Sequence, residues 1–177
     1  MIKLEKPDID VASIITDCTA NLTKQPILTH INASKTTIVS KSEKYNELAE
    51  KGQLGTLETH TMIEGGATKD DMVWLYDNKF VADGGRKYYD KIKAIPKYSK
   101  CPFCGVGIVS TLDHYLPKTK YPTYALTPVN LIACCADCNK NKKSEISETR
   151  NNEFIHPYYD DFNDEVWLKV KIVFDFP

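Results

Sequence analysis

The chain has 177 residues, of which 42% are apolar, 27% charged and 10% aromatic, and its net charge is −1. That is the profile of a globular protein long enough to bury a core. No apolar run approaches the roughly 18–20 residues that span a bilayer, and Lys3, Glu5, Lys6, Asp8, Asp10 and Asp17 interrupt any signal-peptide stretch at the start. A membrane protein, a secreted precursor and a disordered tail are set aside, and a cytoplasmic location is expected.

In chain order, Val11, Ile14, Ile15, Cys18 and Leu22 recur at helical spacing and predict a helix over 10–22. Residues 23–41 are rich in Thr and Ser with an alternation of Ile27, Thr29 and Ile31, which assigns no element. Ser40-x-x-Glu43 reads as a capping box before a helix running to about Gly52. Thr68-x-x-Asp71 opens another helix through Met72, Leu75 and Phe80, which Gly84-Gly85 stops. Tyr88, Ile92 and Ile95 then stripe a short helix before Pro96. Residues 110–117 and 129–135 read as two strands, and a polar, basic helix starts at Asp137. No repeat or low-complexity linker occurs.

Charge is unevenly distributed. Residues 86–143 hold eleven basic and three acidic side chains, a balance of +8, whereas the rest of the chain holds twelve and twenty-one, a balance of −9. A basic segment in an acidic chain suits phosphate contacts, and a solvated face gives the same pattern.

Four of the six cysteines form two pairs, Cys101-Pro-Phe-Cys104 and Cys135-Ala-Asp-Cys138. Two thiolates on one tight turn reach a single tetrahedral ion, and two such turns complete a structural zinc site. Gly105 and Gly107 suit a knuckle folding under the metal. A redox role would need one pair in a thioredoxin-like pattern, which is missing. Cys18 and Cys134 are expected as buried thiols.

The two strands and the following helix, pinned by zinc, form a ββα unit in which Asp113, His114 and Asn139 can meet. A carboxylate and an amide oxygen are hard donors suited to Mg²⁺. A neutral imidazole beside that metal can deprotonate an attacking water. Aligned nucleophile, cation and positive side chains are what phosphodiester hydrolysis requires.

These residues give the segment over about 98–145 a resemblance to the HNH endonuclease family, whose pattern is matched by Asp113-His114, Asn130-Leu131 and Cys135-Ala-Asp-Cys138-Asn139. The resemblance implies a ββα-metal fold with His114 as general base and Asp113 and Asn139 as ligands of a catalytic Mg or Mn ion. Asn130 would tie down the loop holding the base. Asn139 stands where other members have His. Lys118 and Lys142 are expected as phosphate contacts, whereas Lys120 and Lys143 read equally as solvated. His156, in a His-Pro-Tyr-Tyr-Asp stretch, reads either as a neighbour of the scissile phosphate or as a packed core histidine.

The expected class is α+β: a mainly helical N-terminal half over 1–95, an HNH core over 96–160, and a C-terminal strand over 161–177 that stops abruptly, as a fragment of a longer chain would. The layout resembles small HNH nucleases of bacterial anti-phage systems of the Septu and retron types, which implies a larger ATPase partner docked on the N-terminal region. The expected substrate is nucleic acid, DNA before RNA. The alternative is a non-catalytic, zinc-stabilised nucleic-acid-binding or interaction subunit.

Overall fold

The computed structural model describes residues 2–142, 154–161, 171 and 173. Apart from residues 171 and 173, the alternation over 166–174 lies outside the described residues, as does Lys143.

The first helix, α1 (Val11–Thr19), starts where Asp10 accepts hydrogen bonds from the amides of Ala12 and Ser13. It buries Val11, Ile14, Ile15 and Cys18. The 24-residue α2 (Ile27–Glu50) replaces both the unassigned stretch and the shorter helix expected after Ser40. Its buried residues, Ile27, Ile31, Ser34, Ile38, Ser42, Tyr45 and Ala49, recur at steps of four or three, the stripe of a helix face. Ser40 caps nothing, because the helix runs straight through it. Two of the buried serines bond outside the helix: Ser34 Oγ accepts from the Ala67 amide, and Ser42 shares a 2.6 Å bond with Thr127 Oγ1. A loop lies directly against α2 at Gly65, where a Cβ would fall 2.5 Å from the Ala33 carbonyl.

Helix α3 (Lys69–Leu75) opens with the expected capping box of Thr68 and Asp71. It widens into a π-helical turn, Tyr76–Phe80, that stacks the Tyr76 and Phe80 rings 5.3 Å apart. Past Gly84-Gly85 comes α4 (Arg86–Lys93), and then a two-stranded antiparallel sheet of β1 (Thr111–His114) and β2 (Leu131–Cys134). Its register sets Thr111 opposite Cys134 and His114 opposite Leu131. The second strand starts later than its apolar pattern, because Pro128–Asn130 form a tight helical turn first. Helix α5 (Ala136–Lys142) follows and packs on β1, while α4 packs on both strands.

The architecture is therefore α+β, with helices around one small sheet among the described residues. Two hydrophobic clusters hold it. One joins Ile14, Ile31, Met72, Phe80 and Ile92 to Leu112, Leu126 and Leu131, and the other joins Leu4, Tyr45 and Leu54 to Tyr115, Tyr124, Ile132 and Tyr158. Both draw side chains from each side of residue 95, so the helical half and the sheet share their core.

Candidate metal centre and the Asp113–His114 end of the sheet

Each cysteine pair sits where the backbone turns sharply. In the first knuckle the Cys101 amide donates to Gly107 O and the Gly105 amide to Cys101 O, both at 2.8 Å. Gly105 has a φ of 71°, and a Cβ on Gly107 would lie 2.8 Å from Cys135 Cβ, so only glycine fits there. The second knuckle lies between β2 and α5. Backbone amides point at the sulfurs: Gly107 N–H at Cys104 Sγ (3.3 Å) and Cys138 N–H at Cys135 Sγ (3.5 Å).

The four Sγ atoms of Cys101, Cys104, Cys135 and Cys138 lie within 4.8 Å of one another. A tetrahedral zinc with bonds of about 2.3 Å sets its sulfurs roughly 3.8 Å apart, so the group can hold a metal ion and its donor set is compatible with structural zinc. The amides of Gly107 and Val106 lower the Cys104 thiol to about 6. Burial and the neighbouring thiols push Cys138 up, since four thiolates this close need a cation among them. Cys134 and Cys18 are buried thiols outside the group, each raised to about 12 mainly by burial.

At the other end of the sheet, Asp113 and His114 are consecutive on β1 and both are buried. Burial raises the Asp113 carboxyl while Lys142 opposes the rise. Its Oδ2 has no directed hydrogen bond, yet the Lys142 ammonium lies 3.3 Å away as an ion pair. Lys142 also donates to the His114 carbonyl at 2.8 Å. Expected to face phosphate, Lys142 is thus buried and committed to the sheet: from α5 it reaches under β1 to the buried Asp113 carboxylate. Asn139 is half-buried one turn earlier on α5. The three-residue offset places it on the helix face from which Lys142 meets Asp113.

His114 Nε2 lies 3.0 Å from the Ala125 carbonyl, which can only accept, so Nε2 carries the proton and Nδ1 the lone pair. Burial first, then the ammonium groups of Lys118 and Lys142, lower the imidazole to about 3 and keep it neutral. Tyr76 on the π-helical turn lies edge-on to the ring, with centroids 4.5 Å apart. Lys118 sits over the Tyr76 ring and pairs with Asp77, so the second expected phosphate contact also has partners on the protein.

Asn130 has no exposed surface and uses every hydrogen-bonding group. Oδ1 accepts from the Leu116 amide (2.7 Å) and the Tyr45 hydroxyl (3.1 Å), and Nδ2 donates to the carbonyls of Leu116 and Tyr124 (both 3.0 Å). It thereby clamps both ends of the 115–125 loop, whose Ala125 carbonyl fixes the His114 tautomer. The network continues outward. Because Tyr45 spends its proton on Asn130, His156 Nε2–H donates to Tyr45 Oη at 3.1 Å, and His156 Nδ1 accepts from the Tyr158 amide. His156 is therefore a packed histidine, held neutral by burial at about 3 and surrounded by Tyr115, Tyr158 and Tyr159.

Tyr45 and Tyr76, which position Asn130 and cover His114, carried no signal beyond membership of apolar helix faces. Of the basic segment, Arg86, Lys87, Lys118 and Lys142 pair with Asp90, Asp17, Asp77 and Asp113, whereas Lys91, Lys97, Lys120 and Lys140 are exposed. Among the described residues no helix is long and apolar enough to cross a membrane.

No family model matches the chain. Protein ea31 of Escherichia phage lambda is 30% identical over 185 residues, covering 98% of this chain and 62% of that protein. The chain thus spans under two thirds of that relative's length. No solved structure matches.

Proposed function

We propose that the protein is a metal-dependent HNH-type endonuclease that hydrolyses phosphodiester bonds of nucleic acid, DNA before RNA, with zinc in the four-cysteine centre. The observation that carries this is the pairing, on one strand end, of a buried carboxylate whose Oδ2 lacks a directed hydrogen bond with a neutral histidine of fixed tautomer. A hard-oxygen cation site fits there, with Asp113 as its charged donor and Asn139 as its neutral one. A bound Mg²⁺ or Mn²⁺ would place positive charge against the phosphate undergoing attack.

His114, its Nε2–H fixed on Ala125, offers Nδ1 to a water proton. Its base strength rises once a phosphate anion offsets the ammonium groups that depress it. Asn130 keeps the loop from shifting, so the imidazole does not rotate away. Lys142 balances Asp113, and a cation held there would compete with its ammonium for that carboxylate. A larger ATPase partner belongs to the same proposal and rests on the resemblance. A phage relative favours neither a host-defence nor a viral setting, so the reading is one of chemistry.

One observation favours a second reading, a zinc-stabilised binding subunit without catalysis: His114 is buried beneath Tyr76, and Asp113 already has an ammonium partner. The deciding experiment incubates the zinc-loaded protein with single- and double-stranded DNA and RNA in Mg²⁺ or Mn²⁺. Cleavage lost in His114→Ala supports the nuclease. Binding without cleavage in either metal supports the second reading.

A further inference from the structure

The first cysteine knuckle carries features that the metal centre does not use. Tyr98 is 81% exposed, and across the loop Val106 and Ile108 are 75% and 60% exposed. Tyr98 and Ser99 both adopt left-handed backbone, with φ of 56° and 53°. That region is unfavourable for a bulky aromatic, so such a residue persists in it only where its surroundings impose it. The surroundings do so here: Ser99 N–H donates to Pro96 O, Val109 N–H to Ser99 O, and Lys100 bridges Ile108.

The charge along this stretch of chain has one sign. Residues 91–112 contain four lysines and no Asp or Glu. Lys97 Nζ lies 5.4 Å from the Tyr98 ring centroid, and Lys100 Nζ donates to Val106 O at 3.1 Å, which holds a second ammonium beside the loop. A rigidly presented aromatic ring flanked by ammonium groups is the element on which bases of a single strand stack while its phosphates are neutralised. An acidic peptide would use the lysines but give the strained ring no planar partner.

We infer that the knuckle, centred on Tyr98 and Lys97, is a docking platform for single-stranded nucleic acid beside the candidate cleavage site. Val109, bonded to Ser99, precedes Asp113 by four residues on the path into β1, about 13 Å of extended chain, so a strand stacked on Tyr98 reaches Asp113 within a few nucleotides. The inference takes its substrate class from the nuclease reading, and its test separates the two.

The test is fluorescence anisotropy with a labelled 12-nucleotide single-stranded DNA and the matching duplex, using the zinc-loaded chain in a His114→Ala background. Tyr98→Ala is expected to weaken single-strand binding about tenfold, within the range that one base–aromatic stack supplies, with a smaller loss for the duplex and an unchanged salt slope. Tyr98→Phe should bind within about twofold of its parent. Lys97→Ala should shallow the log–log salt slope by about 0.7. Zinc content and melting temperature of each variant establish that the knuckle is folded. Tyr98→Ala binding like its parent, equal losses for both DNAs, Tyr98→Phe failing as badly as Tyr98→Ala, or no DNA binding by the parent overturns the inference. The last result would assign the patch to a protein partner. Tyr98-dependent binding by a chain that, with His114 intact, cleaves nothing would keep the platform and remove the nuclease.

Discussion

The two ends of the small sheet use polar side chains in opposite ways. At the Cys134–Cys135 end, four sulfurs from two knuckles face one another, and the backbone adds N–H groups to them, so the donor set is complete and closed. At the His114 end, a buried carboxylate faces an ammonium group, and the ligand set proposed there is incomplete without substrate. A closed site can only hold its ion, whereas an open one leaves positions for substrate. The strand between them is four residues long, so the closed site fixes the backbone that presents the open one.

The sharpest way to break that comparison is at the closed end. Cys135→Ser should lose the metal and unfold the sheet, because structural zinc binding contributes on the order of 10 kcal/mol to folding. Metal analysis and circular dichroism read the outcome together, and a folded, metal-free variant would show that the cysteines only pack. At the open end, His114→Ala should reduce cleavage by roughly 10²-fold or more with zinc content unchanged. Loss of zinc in that variant would mean that the two ends are one unit.

Also at the His114 end, Asn130 clamps the loop that follows β1. Replacement by Ala strands the Leu116 amide and carbonyl and removes the acceptor of the buried Tyr45 hydroxyl, and each buried group left unpaired costs about 1–3 kcal/mol. Chemical denaturation should therefore show a loss of roughly 3 kcal/mol or more. A surface-like loss near 0.5 kcal/mol would show the loop to be held by packing alone.

Smaller, and read by pH, is the contribution of the buried histidines. His114 and His156 titrate near 3 in the folded chain and near 6.5 when unfolded. The unfolded state therefore takes up protons first, and stability is lost as pH falls below about 6.5. Each histidine costs about 1.4 kcal/mol per pH unit down to its folded value. Asp113, raised by burial, works in the opposite sense. His156→Phe should flatten the profile between pH 6 and 4, and a slope unchanged from the parent would mean that His156 is not held neutral. The smallest effect separates metals: Mn²⁺, which tolerates looser geometry, should restore Asn139→Ala better than Mg²⁺. Equal activity in both metals would remove Asn139 from the ligand set.

The cysteine group and one helix start were legible because they depend on short spacings. The two Cys-x-x-Cys pairs do meet, and the Thr68 capping box forms as written. Helix α2 was not legible: Thr29, Thr36, Thr37, Ile38 and Val39 are weak helix formers, and Ser40-x-x-Glu43 imitates a start signal. What holds the helix lies elsewhere in the chain, in the loop seated on it at Gly65 and in the Ser42–Thr127 bond. The commitment of Lys142 to Asp113 was equally hidden, since a lysine ending a polar helix looks solvated until the fold sets a buried carboxylate within its reach. His156 shows the limit from the other side. Its sequence allowed two roles, and only the surrounding tyrosines, brought from more than 100 residues away in the case of Tyr45, decide between them.

That long reach has a consequence in time. Leu4 donates to the Pro157 carbonyl, Ile2 to that of Pro102, and Tyr45 bonds His156. A ribosome making this chain from its first residue releases α1 and α2 long before the partners that bury Tyr45 exist. The cysteine centre gains its last sulfur at residue 138, and the tyrosine cage around His156 closes only some twenty residues later. The nascent protein therefore carries an apolar helix face in waiting. Long-range closure of this kind slows folding relative to a local bundle. It also means that a chain broken off before residue 156 keeps the four cysteines but lacks the Leu4–Pro157 and Tyr45–His156 bonds.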